Sequence, residues 1–158
     1  MSVSAIRSRI KTNLEAVTGC GEVHDYDRWA SHWNDFLSLF KDDNGLINGW
    51  TISLIKMQNA MESFTQMGRA HVFRLQKVYG LNDGDATGKT FEGHLEAVVN
   101  AFKADDTLNG ACLTCTPPWG PMEGLTGLQI DKIEHRLFGT VLCHYADCRL
   151  GPVELVTD

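Results

Sequence analysis

The sequence predicts an α+β fold, an antiparallel-dominated sheet with two to three helices packed on it, in one domain spanning residues 1–158. Residues 70–104 carry the first sign, because they read as a strand, a Gly/Asp/Asn/Thr turn and a helix in unbroken succession. The period changes from two to about 3.6 inside that stretch. Phe73, Leu75 and Tyr79 fall on one side of His71–Tyr79 while Arg74 and Gln76 fall on the other, whereas Phe91, Leu95, Val98, Val99 and Phe102 form one helical stripe. A second sign is the absence of the regular strand–helix alternation that a doubly wound parallel sheet requires.

In chain order, Val3, Ile6, Ile10, Leu14 and Val17 recur at helical steps, Ser2 or Ser4 can cap them, and Gly19-Cys20-Gly21 ends the segment. That gives a helix near 3–18. A short strand follows near 22–26, and a third helix is expected near 27–40, where Trp29, Trp33, Phe36, Leu37 and Phe40 share a face. Residues 47–56 alternate as a strand with Trp50, Ile52 and Leu54 on one side. Met57 to Gly68 shows no clear period and reads as an exposed loop joining two antiparallel strands. The next strand is 70–79. The helix near 88–104 begins at Thr87 or Thr90, either of which can N-cap it, and Asn109-Gly110 closes the segment. Ala111–Thr116 reads as a strand stopped by Pro117-Pro118, with a rigid loop at 119–124. Segments 125–134 and 136–149 give one or two long strands, with a bulge where the apolar register slips between Ile130 and Ile133, and a second bend at Gly139.

Composition narrows the function classes. With 43% hydrophobic and 22% charged residues the chain has an ordinary globular make-up, and its formal charge of −6 with no run of basic residues argues against a nucleic-acid surface. No apolar stretch is long enough to span a membrane, and the first residues lack the order of a signal peptide, so a cytosolic place of synthesis is expected. In such a compartment the five cysteines read as free thiols.

Four constellations carry chemistry on paper. Gly84-Asp85-Ala86-Thr87-Gly88-Lys89-Thr90 ends like a phosphate-binding loop but has one residue too few between its glycines, and Asp85 would put a carboxylate in the anion site. A zinc site could be assembled from Cys112, Cys115, Cys143 and Cys148, but a strand through 112–115 would send the first two thiols to opposite faces. Cysteine pairs at helix N-termini do redox work; this one precedes Pro-Pro. The histidines His24, His32, His71, His94, His135 and His144 are scattered, and Asp42-Asp43 and Asp105-Asp106 read as solvated turn charge. Neither a nucleophile elbow nor a zinc-protease helix occurs. No catalytic residue, metal ligand or cofactor is therefore expected, while the aromatic set Trp29, Trp33, Phe36, Trp50 and Trp119 has the composition of protein interfaces.

The order of these words along the chain resembles the small tail-terminator or tail-completion proteins of long-tailed, siphovirus-type bacteriophages and prophages. The resemblance runs from the amphipathic first helix through Val23-His24-Asp25-Tyr26, Ile47-Asn48-Gly49-Trp50 and His71-x-Phe73-x-Leu75 to the Phe91–Phe102 helix and Val141-Leu142-Cys143-His144-Tyr145. It implies a non-enzymatic α+β protomer of the virion, assembled in the host cytoplasm, that forms a ring, usually a hexamer, on the head-proximal end of the tail tube. Its implied partners are itself, the tail tube protein and the neck or head-completion protein, with genomic DNA passing through the lumen unbound. Loops too long for plain hairpin connections are then expected to carry contacts. The candidates are Met57, Met61, Phe64, Met67, Trp119 and Met122, together with Trp33.

Overall fold

A computed structural model describes residues 1–28, 32–61 and 66–156, and within them every side chain except those of Trp33, Asn34, Met61 and Asp83. Its elements are helices α1 (Val3–Glu15), α2 (Trp33–Ser38) and α3 (Thr87–Ala104), and strands β1 (Glu22–His24), β2 (Asn48–Met61), β3 (Met67–Gly80), β4 (Gln129–Phe138), β5 (Val141–Leu150) and β6 (Val153–Val156). The sheet runs β1-β2-β3-β5-β4, and β6 pairs with β3 beyond the end of β5. Only β1–β2 is parallel; every other ladder is antiparallel, so the α+β class holds.

The sequence chemistry explains the frame. Ser2 accepts a hydrogen bond from the Ala5 amide at 3.1 Å and caps α1, whose Ile6, Ile10 and Leu14 are fully buried. The stripe of α3 meets the same core. Phe73, Leu75, Leu95, Val98 and Phe102 are in one cluster with Trp50, Ile52, Cys148 and Leu150, and Val99 packs on it half-buried. A smaller cluster on the opposite face joins Leu37 of α2 to Val78, Phe138, Cys143 and Tyr145. Both faces of β3 are thus covered. Arg74 and Gln76, expected in water, reach Asp147 in a two-bond pair at 2.9 Å and the Tyr145 hydroxyl.

Several expectations need correction. Met57–Gly68 is not a loop: β2 and β3 stay paired out to Met61 opposite Met67. A register shift between Leu54 and Lys56 changes the phase of β2, and this hid the alternation. Ala111–Thr116 is not a strand but a turn whose one bridge is Thr114 to Val153, and the strand missing from the expected set is β6. Asp106 makes the difference, because it accepts from the Cys115 amide at 3.1 Å and the Thr114 hydroxyl at 2.6 Å and so curls the segment. The helix expected over 27–40 is described only as the six-residue α2, and Trp29 lies outside the described residues. Thr87 does not cap α3; Ala86 occupies the cap at φ 52°, and the Thr87 hydroxyl bonds the Asn82 amide instead. The slip near Ile130 is a bulge, between Ile130 and Lys132. Gly139, at φ 66°, starts the two-residue turn joining Phe138 to Val141, as a type II′ hairpin requires.

Candidate interaction surfaces

The β2–β3 hairpin presents the first of the expected contact residues. Met57, 46% exposed, lies opposite His71, and Met67, 40% exposed, lies opposite Met61 in the last described pair. Phe64 lies outside the described residues, as do the side chains of Met61 and of Trp33, which opens α2. The loop at 117–124 behaves otherwise. Met122 is only 1% exposed and sits against Gly151, so it faces the protomer's own interior rather than a partner. Trp119 is half-buried, with its indole Nε1 shut off from solvent and unpartnered among the described residues.

A surface that sequence reasoning missed lies at the far end of the sheet. β4 is an edge strand of ten residues, and its Ile133 and Leu137 are 56% and 62% exposed beside Leu142 of β5 at 42%. Ile133 pairs with Ala146 and the intervening His135 with His144, both of which face the α3 core, while Leu137 pairs with Leu142, so the strip lies on the helix side of the sheet where α3 no longer covers it. On the other side of β4, Glu134 pairs with Arg136 at 2.6 Å and Lys132 at 3.2 Å, and Arg136 stacks on Tyr145. Charges on the other face do not cover those apolar side chains. The alternation Ile133-x-His135-x-Leu137 carried the signal, but it reads as an inward face until one sees that none of the described residues covers it.

The Gly84–Thr90 loop abuts a hollow of about 530 Å³ lined by Lys41, Leu46, Tyr79, Asp85, Thr90 and Leu142, among others. Four of its amides are already committed: Asp85 and Thr87 donate to the Asn82 carbonyl, and Lys89 and Thr90 to that of Ala86. These bonds interrupt the consecutive run of free N–H groups that would curl around a phosphate. The Cys112 and Cys115 thiols lie together, 3.8 Å apart and buried, contrary to the strand expectation. The hydrogen bond shared with Cys112 and burial push the Cys115 thiol well above the usual range, and burial raises Cys143 to about 11 and Cys148 to about 12. Such thiols are poor nucleophiles. Cys143 also faces the small cluster and Cys148 the main core, so the four sulfurs do not converge. Among the described residues no group of three or more His, Cys, Asp or Glu is placed to hold a metal ion.

Three polar groups inside the core were not foreseen. Lys77 is buried beneath the turn after α1, where its ammonium donates to the Cys20 carbonyl at 2.9 Å and to Asn48 Oδ1 and lies near the Trp50 and Tyr79 rings. Burial pulls its pKa down to about 7. Next to it the Trp50 indole donates to His94 Nε2 at 3.1 Å, and burial together with the Lys77 charge takes His94 down to about 4. His71, fully buried, bonds Glu154 at 3.1 Å, and Arg69 stands 3.5 Å from the same carboxylate oxygen. Asp105 is likewise more than solvated turn charge, since it accepts from Asn13 at 2.9 Å and Arg9 at 3.4 Å and ties the end of α3 to α1. Of these groups Lys77, His71 and Glu154 are enclosed, while His94 and Asp105 are half-buried. No protein-family model and no curated protein matches the chain.

Proposed function

We propose that the chain is a structural protein of a long-tailed bacteriophage, one that closes the head-proximal end of the tail tube as a ring, a homohexamer, and joins the tail to the neck. The observation that carries this reading is the open β4 edge with Ile133, Leu137 and Leu142 exposed on it. A long edge strand with uncovered apolar side chains is a self-association hazard in a protein that works alone, and a contact surface in one that works in an assembly. The order of elements, from the amphipathic α1 through β2 and β3 to α3 and β5, agrees with the resemblance drawn from the sequence. A net charge of −6 suits a ring through which DNA passes without being gripped, because like charge repels the phosphates.

In this role the ring stops tube polymerisation and offers its other surface to the neck protein. Inactivating the gene in the phage or prophage that encodes it should give tails of uncontrolled length and heads without joined tails, seen by negative-stain electron microscopy. Normal virions would overturn the assignment. Absent tails, in place of overlong ones, would move the chain to the tube itself.

A further inference from the structure

The ends of the sheet match one another. Pairing partners form a straight row across it, from Val23 of β1 to Trp50, Lys77, Ala146 and finally Ile133 of β4. All five side chains point to the helix side, because partners in register share a face. β1 runs parallel to β2, and three antiparallel steps follow, so β4 runs opposite to β1. A second copy set alongside with its helices on the same side therefore brings β4 antiparallel to β1, with Ile133 next to Val23 and no vertical offset.

The charges agree with that placement on both faces. Glu22 and His24 flank Val23 and so lie on the side away from the helices, as do Lys132, Glu134 and Arg136 around Ile133. Lys132 and Arg136 outweigh the Glu134 they share, which leaves that stretch of β4 net positive toward Glu22. In the helix layer, Glu92 acts on His144 of β5 and thus faces the β4 end, and Glu96 lies one turn along the same exposed flank. Arg9 and Asn13 of α1 reach Asp105 at the end of α3, which turns Arg7 and Lys11 to the opposite flank, toward the β1 end, where Arg7 lies over the Phe73 ring and Lys11 pairs with Glu15 at 4.0 Å. Glu92 and Glu96 of one copy then meet the flank of the next that carries Arg7 and Lys11, whose two positive charges outweigh Glu15.

We infer that the partner of the β4 edge is the β1 end of a second copy of this chain, so that one sheet continues from protomer to protomer. The contact is heterologous, with β4 and α3 of one copy against β1 and α1 of its neighbour, and it closes by rotation into a ring. This rests on the ring reading given above and adds which surfaces meet.

The test uses the full chain with p-benzoylphenylalanine in place of Ile133, irradiated and mapped by mass spectrometry of cross-linked peptides. Within one copy β1 and β4 are separated by four strand spacings, about 19 Å, beyond the reach of the probe. The expected result is intermolecular adducts at residues 22–26 and on α1. Adducts confined to 129–138 of the second copy would show two-fold pairing of β4 with itself and overturn the proposal, as would assembled rings that give no adduct at β1 or α1; both would leave the ring reading standing. A chain that stays monomeric and gives no intermolecular adduct would overturn both. Charge reversal supplies an independent check: Glu92→Lys with Glu96→Lys should weaken self-association at least about tenfold, and Arg7→Glu with Lys11→Glu added to it should restore much of the loss. Unchanged association in the first variant, or no recovery in the second, would contradict the helix-layer contact.

Discussion

Residues fix this fold through a few enclosed side chains whose neighbours set their properties. Phe102, at 1% exposure, fills the main core between α3 and the sheet, and Phe102→Ala should cost about 3–5 kcal/mol through lost burial and the cavity left behind. A melting temperature within a degree or two of wild type would refute its place in the core. His94 makes a pH prediction. Its folded pKa, about 4, lies below the unfolded value of roughly 6.5, so the unfolded chain binds the proton first as pH falls. Stability contributed by the neutral ring is complete above about pH 6.5 and drains away toward pH 4. His94→Gln keeps an acceptor for the Trp50 indole without a titrating ring, so urea midpoints should fall less steeply between those pH values than in wild type. Parallel pH profiles would contradict it. Such residues were only half legible beforehand. The alternation that put Phe73 and Leu75 inward also put Lys77 there, but its acceptors, Cys20 O and Asn48 Oδ1, come from segments distant in sequence.

Elements were read well where one period runs unbroken and badly where a local bond resets it. α1, α3 and β3 followed from their stripes, and the bulge near Ile130 from a slip in register. β2 was cut short because its own bulge, between Leu54 and Lys56, exchanges the faces of Met57 and Asn59 midway. Residues 111–116 imitated a strand because alternation says nothing of Asp106, a residue outside the window that bends it. Of the candidate contact residues, Met57 and Met67 reach the surface, Met122 does not, and the β4 strip escaped notice. Exposure depends on what lies above a strand, which no strand's own sequence records. The hairpin carries its own prediction. Replacing 61–67 with a tight Asn-Gly turn joins Ala60 directly to its pairing partner Gly68 and leaves the main core untouched, so the variant should keep the wild-type circular dichroism. If Met67 at the hairpin end is a contact to the tube, it should fail to complement a gene knockout; full complementation would remove the hairpin end from the functional surface.

At the scale of the whole molecule, the chain is a sheet covered by α1 and α3 on one face and partly by α2 on the other, with β4 left open at one end. Among the described residues no group of three or more His, Cys, Asp or Glu is placed to hold a metal ion, and exposed apolar side chains gather at the sheet edge and along the hairpin. Self-association is therefore the property on which the account stands. Native mass spectrometry of the purified chain, beside a variant carrying Ile133→Lys and Leu137→Lys, tests it most directly. The account predicts one closed oligomer for the wild type, built of 17.5 kDa protomers, and a folded monomer for the variant, whose new charges sit on exposed positions. A wild type that stays monomeric at every concentration, or a variant that assembles as the wild type does, would contradict it.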